Sequence, residues 1–254
     1  IREHIRFNTK VEEARFDENT ARWNVAIKDA NGASSHLQAD LLLSAVGLLN
    51  VPKMPQITGL ENFKGQCFHT ARWPADLDLT GKRVAVIGNG ASAMQVVPAI
   101  ADQVEHLTIF QRSKQWAAPF AKFKKEVPSS VRFLLREVPY YQEWYRQRLS
   151  WIFNDRIHYS LQKDPDWPHP ERSINKYNDR QRDHFTDYVK EQLGDRQDLL
   201  CEVLPDYPPF GKRMLMDNGW FRTVARDDVT LVTGGISHVT ENSIVTDKGV
   251  AHEV

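Results

Sequence analysis

The feature that most constrains this chain is a short glycine turn between an apolar run and a helical pattern. Val84-Ala85-Val86-Ile87 is followed by Gly88-Asn89-Gly90-Ala91-Ser92-Ala93, a G-x-G-x-x-A sequence, and then by apolar residues at helical spacing to about Ala101, with Pro98 inside. Out of context the pattern is weak. After a strand and at the start of a helix it has a mechanical meaning. Gly88 permits the tight turn, Gly90 lets backbone approach a pyrophosphate, and Ala93 is small enough for helix and strand to pack. The helix N-terminus offers free N–H groups and partial positive charge to an anion. Gln95, in the first turns, is a further candidate contact. Leu107-Thr108-Ile109-Phe110 completes a β–α–β unit, so a Rossmann-like α/β domain is expected.

The end of that third run indicates which dinucleotide fits. A site for NAD usually carries an acid there, to hold the ribose 2′-hydroxyl. This chain has Arg112, Ser113 and Lys114. A guanidinium, a hydroxyl and an ammonium suit a 2′-phosphate, so NADPH is the expected cofactor.

Around this unit the sequence changes character three times. Residues 1–48 read as β-rich. Ile5-Arg6-Phe7 and Trp23–Ile27 are read as strands, Asp29-Ala30-Asn31-Gly32 as a turn, and Leu41–Gly47 as a buried parallel strand. Residues 49–80, with Pro52, Pro55 and Gly59, read as a linker. Residues 81–121 and 205–254 form the first and second parts of the nucleotide-binding domain, the latter with strand signals at Val229–Val232 and a hairpin at Ile244–Val250. Between them, residues 122–204 read as a helical insertion. Its aromatic residues, among them Phe133, Trp144 and Trp151, are expected in a core or a domain contact, and a helix is expected from about Asp179 to Leu193. The strand–turn–strand pattern before the Leu41 run returns at the C-terminus as a weak internal echo.

Composition bounds the function. Lys+Arg and Asp+Glu both number 33, which gives no electrostatic case for nucleic acid or an anionic membrane. No apolar run approaches the roughly 18 residues of a membrane helix. Cys67 and Cys201 stand in unrelated contexts, so a reduced, cytoplasmic setting without a disulfide framework is expected. His158, His169 and His184 have no metal-ligand spacing, and no metal is expected. The chain starts at Ile1 and is read as lacking its beginning.

Before the glycine turn stands Phe63-Lys64-Gly65-Gln66-Cys67-Phe68-His69-Thr70-Ala71-Arg72-Trp73-Pro74, an F-x-G-x3-H-x3-W-P pattern with five fixed positions. It resembles the signature of the flavin-containing Baeyer–Villiger monooxygenases. Gly81–Gly88, Phe110-Gln111-Arg112 and Pro205-Asp206-Tyr207-Pro208-Pro209-Phe210-Gly211-Lys212-Arg213 resemble further parts of that family. With Asp217-Asn218-Gly219-Trp220, the last segment resembles the 4-hydroxyacetophenone monooxygenase branch. The resemblance implies FAD and NADPH as cofactors, with a small-molecule ketone and O2 as the reacting partners. It implies that Lys212 binds the NADPH 2′-phosphate and that Arg213 is catalytic, holding negative charge that develops during oxygenation. It makes residues 1–48 part of an FAD-binding domain whose own glycine turn is not in this sequence, so the chain alone is expected to be inactive and not to hold FAD. Phe63, Gly65, His69 and Trp73 fall at the domain junction. His69 is read there as bonding backbone rather than as an acid–base group, and Trp73 as packing. A nitrogen- or sulfur-oxidising flavin monooxygenase, which needs neither Arg213 nor the Trp-Pro ending, and an isolated NADPH-binding module are the competing readings.

Overall fold

The computed structural model describes residues 1–120, 122 and 125–254. Residues 121, 123 and 124, where the helical insertion is expected to begin, lie outside the described residues. The chain divides into two units, Ile1–Pro52 and Lys53–Val254.

The first unit is an antiparallel meander of β1 (Lys10–Asp17), β2 (Arg22–Lys28) and β3 (Ser34–Ala39). Val25 and Ile27 of β2 are buried, and Ala26 between them less so, as alternation requires. The β2–β3 turn forms where the Asp-Ala-Asn-Gly sequence predicts it. The Asp29 carboxylate accepts from the N–H groups of Asn31 and Ala33, and Gly32 takes φ 84°.

Two expectations fail in this unit. Ile5–Phe7 is not a strand. The partner of β2 is Lys10–Asp17, whose side-chain alternation is broken where the register passes from Val11↔Ile27 to Glu13↔Ala26. That bulge erases the period-two signal from the sequence. Leu41–Gly47 is not a buried strand either. It has no strand structure, and Leu41, Leu43 and Val46 are 72, 81 and 68% exposed. A strand buried on both faces needs neighbours to take its N–H and C=O groups, and none of the described residues pairs with this run.

The second unit is built on β4 (Arg83–Ile87), α1 (Ala93–Ile100) and β5 (His106–Gln111). After β5 come a two-residue strand β6 (Ala117–Ala118) and the helices α2 (Ser129–Glu137), α3 (Tyr141–Phe153), α4 (Asp155–Leu161), α5 (Lys176–Leu193) and α6 (Leu200–Val203). The chain then returns through β7 (Leu215–Met216), α7 (Trp220–Val224), β8 (Val229–Thr233), β9 (Ile236–Val239), β10 (Ser243–Thr246) and β11 (Ala251–Glu253). The parallel sheet has the order β4-β5-β8, with Val84 opposite Leu107 and Leu107 opposite Val229. This is the expected α/β architecture with helices interposed in the sequence between β5 and β8. β9, β10 and β11 form a second antiparallel meander, so the internal echo is real at the level of topology.

The main core joins Met94, Val97 and Ile100 of α1 to Leu107 and Ile109 of β5 and to Trp220, Phe221 and Val224 of α7. Val97, Leu107 and Ile109 are fully buried, and each such side chain contributes about 1.5–3 kcal/mol. Ala93 is part of this packing, in keeping with its place in the turn motif. α1 runs through Pro98 to Ile100, which is tolerated although Pro98 has no N–H for the i−4 carbonyl. β4 departs from expectation. It lies at the edge of the parallel sheet, is half-buried, and leaves Ile87 44% exposed.

The aromatic residues of α2 and α3 do not enter a core of this chain, which is the first of their two expected places. α2 and α3 bury no residue, and Phe133, Trp144 and Trp151 are 60, 52 and 55% exposed. The apolar contribution of this segment comes from α5, through Phe185, Val189 and Leu193. α5 begins where the Asn175 side chain accepts from the N–H groups of Tyr177 and Asn178 and ends before Gly194 at φ 57°. The difference is one of composition. α3 interleaves its aromatic residues with Gln142, Glu143, Arg146, Gln147 and Arg148, and helical spacing does not distinguish a face that finds a partner from one that does not.

The 53–62 segment is fastened to the second meander. Thr58 bridges His238, and the Val239 N–H donates to the Thr58 carbonyl at 2.8 Å. Gly59 sits at φ 79°, where a Cβ would meet the Val239 carbonyl oxygen at 2.2 Å. Gly59→Ala is therefore expected to destabilise the chain by about 1–3 kcal/mol from backbone strain alone, with the steric clash in addition. Denaturant unfolding measures this; an unchanged midpoint would show that the 53–62 segment is free to leave β9.

Candidate functional site

The glycine turn is open where a ligand would lie. A Cβ at Gly88, which has φ 109°, or at Gly90 would meet no atom within 4 Å. The Met94 N–H donates to the Gly90 carbonyl and the Val96 N–H to the Ser92 carbonyl, while the N–H groups of Gly90, Ala91 and Ser92 have no acceptor among the described residues. An anion at the start of α1 would find both space and donors. Ala91 and Ser92 are exposed. Gln95 is exposed as well, but its amide donates to the Ala91 carbonyl at 3.0 Å, so it is turned back on its own helix. The Asn89 side chain is buried and faces inward. Its Nδ2 donates to Gln111 Oε1 at 2.9 Å and to the Ser113 carbonyl at 2.8 Å.

Residues far apart in sequence meet at the end of β5. The Lys212 ammonium donates to Ser113 Oγ at 2.8 Å and lies 4.8 Å from the centre of the Tyr207 ring. A hydroxyl and an aromatic face thus hold the ammonium without neutralising it. Arg112 and Arg213 are exposed, and neither makes a hydrogen bond or ion pair with the described residues. The arrangement is a cluster of cations with no carboxylate paired to it among the described residues, open to solvent beside an N–H-lined turn. A phosphate ester satisfies both parts.

What holds the 205–213 segment there was not anticipated from the sequence. Trp116 Nε1 donates to the Tyr207 carbonyl at 2.8 Å, and the Tyr207 hydroxyl donates to the Lys114 carbonyl at 3.0 Å. Burial pushes the Tyr207 phenol above its ordinary pKa, so it remains a donor. Arg182 of α5 donates to the carbonyls of Arg172, Tyr207 and Pro205 and stacks over Trp116 at 5.3 Å. β6 and β7 pair in parallel just beyond. The available signal was Gln111, Trp116 and Arg182 themselves: polar-capable groups in otherwise apolar or structured stretches have to find acceptors when buried.

The F-x-G-x3-H-x3-W-P residues collect elsewhere. Phe63, Gly65, His69 and Trp73 line an open cleft of about 960 Å³ along β4, and neither the glycine turn nor Lys212 and Arg213 belongs to its lining. Gly65 lies under its neighbour's ring, and a Cβ there, 2.6 Å from Phe63, would make that ring shift. His69 Nδ1 accepts from the Ala71 N–H at 3.1 Å, a backbone-bonding histidine. Trp73 is 40% exposed and packs edge-on against Phe68.

Residues 1–186 match the family described as flavin-binding monooxygenase-like (FMO-like). This chain belongs to that family. The FMO-like chain is 53% identical over 253 residues to an uncharacterized monooxygenase, y4iD, of Sinorhizobium fredii, covering 100% of itself and 38% of that protein. It is 33% identical to a Baeyer–Villiger monooxygenase of Streptomyces coelicolor, covering 100% of itself and 45% of the relative. Among solved structures it resembles OTEMO in complex with FAD and NADP, with 28% identity and a TM-score of 0.76, over 100% of this chain and 52% of that one. The chain thus spans about half the length, or less, of these proteins. No helix among the described residues is long and apolar enough to cross a membrane.

The fastening by α5 can be tested on the protein itself. Arg182→Gln removes the fork that reaches three carbonyls and is expected to accelerate tryptic cleavage after Lys212 or Arg213 severalfold while helical circular dichroism is retained. Cleavage at the wild-type rate would mean that the segment is held without Arg182, by Trp116, the Tyr207 hydroxyl and the bond from Asn178 to the Pro209 carbonyl.

Proposed function

We propose that this chain is the NADPH-binding part of an FAD-dependent monooxygenase of the Baeyer–Villiger type, which uses NADPH and O2 to convert a ketone to an ester or lactone. The observation that carries the reading is the contact between Lys212 and Ser113 beside the open glycine turn, with Arg112 and Arg213 exposed nearby. In this reading residues 1–48 belong to the FAD-binding domain and 49–80 link it to the nucleotide domain. Residues 81–121 and 205–254 form that domain, and 122–204 are inserted in it. The wording of 205–220 supports an aryl ketone, as in the 4-hydroxyacetophenone branch. Its working setting is the reducing cytoplasm, in keeping with two exposed free thiols.

The residues present fit the nucleotide. Gly88 and Gly90 leave room for a pyrophosphate, and the N–H groups of 90–92 face it as donors. Ser113, Lys212 and Arg112 seat the 2′-phosphate by charge-assisted hydrogen bonds. FAD, when bound, supplies hydride acceptance from NADPH and the activation of dioxygen. The planar guanidinium of Arg213 offers a fork of N–H donors and a positive charge to the negative charge that develops on oxygen.

Lys212→Ala and Arg112→Ala in the full-length protein are each expected to weaken NADPH relative to NADH. The loss of a charged hydrogen bond costs about 1.5–3 kcal/mol, or roughly 10- to 100-fold in preference. Steady-state kinetics with both coenzymes measures it, and an unaltered preference in both variants would overturn the assignment.

Arg213→Ala is expected to leave flavin reduction by NADPH partly intact and to reduce ester formation by about a hundredfold or more. Arg213→Lys restores little, because an ammonium lacks the planar fork. Stopped-flow reduction and product chromatography separate the two steps. Ester production by Arg213→Ala near the wild-type rate would return Lys212-Arg213 to nucleotide binding alone.

A further inference from the structure

The Asn89 side chain lies in the middle of the phosphate turn yet faces away from the open side. It is 8% exposed, and both of its amide hydrogens are in use, one on Gln111 Oε1 and one on the Ser113 carbonyl. Gln111, 3% exposed, is equally committed. Its own amide donates to the Glu202 carbonyl at the end of the helical segment and to Thr233 Oγ1 at the end of β8. Ser113, whose carbonyl Asn89 holds, is the residue whose hydroxyl meets Lys212.

We infer that Asn89 is a positioning residue for coenzyme choice: it fixes the loop that presents Ser113 and Lys212 to the 2′-phosphate, and it does so without touching the nucleotide. The inference rests on the NADPH reading above and adds to it the element that sets the distance between pyrophosphate seat and 2′-phosphate seat. The two seats lie on separate segments, the turn after β4 and the loop after β5. One buried side chain, Asn89, spans them directly. Gln111 ties the same point to β8 and α6, so the loop cannot shift without breaking buried hydrogen bonds. A dinucleotide without the 2′-phosphate uses the turn and ignores the loop. Its binding is therefore indifferent to the Asn89 tether.

The measurement is calorimetric affinity of the full-length protein for NADP+ and for NAD+. Asn89→Ala is expected to lower the NADP+ over NAD+ preference about 5- to 30-fold, the scale of two lost hydrogen bonds, with NAD+ affinity nearly unchanged. Asn89→Asp keeps the volume but sets a carboxylate oxygen, an acceptor, against the two acceptors that the amide served, and is expected to lose at least as much. The double variant Asn89→Ala with Lys212→Ala is expected to lose less preference than the sum of the two single variants, since both act in part through the Ser113–Lys212 contact. Should Asn89→Ala not fold, Asn89→Ser, whose short hydroxyl does not span both acceptors, takes its place with the same expectations. Wild-type preference in Asn89→Asp, equal losses for NADP+ and NAD+, or additive losses in the double variant each overturn the inference. If Lys212→Ala abolishes the preference while the Asn89 variants keep it, only this inference fails; if Lys212→Ala leaves the preference intact, the NADPH reading fails with it.

Discussion

The arrangement of the candidate site depends on one backbone carbonyl, that of Tyr207. Two donors converge on it, the Trp116 indole from the loop after β5 and the Arg182 guanidinium from α5. Neither donor carries out any chemistry. Between them they hold a segment about 90 residues distant in sequence against the end of the parallel sheet, and Lys212 of that segment meets Ser113 while lying over the Tyr207 ring. A half-buried carbonyl that accepts from both an indole and a guanidinium is more costly to abandon than a solvated ion pair is to break. The recognition cations can therefore stay exposed and unpaired while the segment that carries them is held in place.

How much of this was legible in the sequence follows from the range over which each feature is determined. The glycine turn, β4, β5, the Asp29–Gly32 turn and α5 are set by local chemistry, and their residues announce it: apolar runs, positive-φ positions, an Asn cap. β1 was obscured because a bulge between Val11 and Glu13 breaks the alternation that identifies a strand. Leu41–Gly47 was misread for the opposite reason. Its apolar run is a statement about burial, and whether such a run is a strand depends on neighbours that no local pattern contains. The aromatic residues of α2 and α3 repeat the lesson, since helical spacing told of a face and not of what covers it.

The site divides along the same line. Gly88, Gly90, Arg112, Ser113 and Lys212 were marked by residue type and spacing or by resemblance, because phosphate recognition uses small residues and cations at fixed places. The bracing roles of Gln111, Trp116, Arg182 and Tyr207, which hold those residues, carry no such mark, although Gln111 and Tyr207 stand in stretches that share the resemblance: each is an ordinary polar or aromatic residue until its acceptor is known. Asn89 stands within the cofactor-binding motif, yet its geometry points its side chain at the protein.

The placement of these bonds has a consequence for local stability. α2 and α3 bury nothing, so opening them exposes little new apolar surface and costs little beyond their own hydrogen bonds. α5 buries Phe185, Val189 and Leu193, and through Arg182 it is bonded to the 205–207 carbonyls. Gln111 extends the same continuity to the Glu202 carbonyl and Thr233. The helical segment is thus graded, loosely committed at α2 and α3 and firmly committed where it meets the nucleotide end of the sheet. A site whose ligand is recognised by exposed charges loses selectivity if those charges wander by even an ångström. Concentrating the buried hydrogen bonds at Gln111, Tyr207 and Arg182 confines the rigidity to the place where recognition requires it, and leaves the outer helices free to differ without disturbing it.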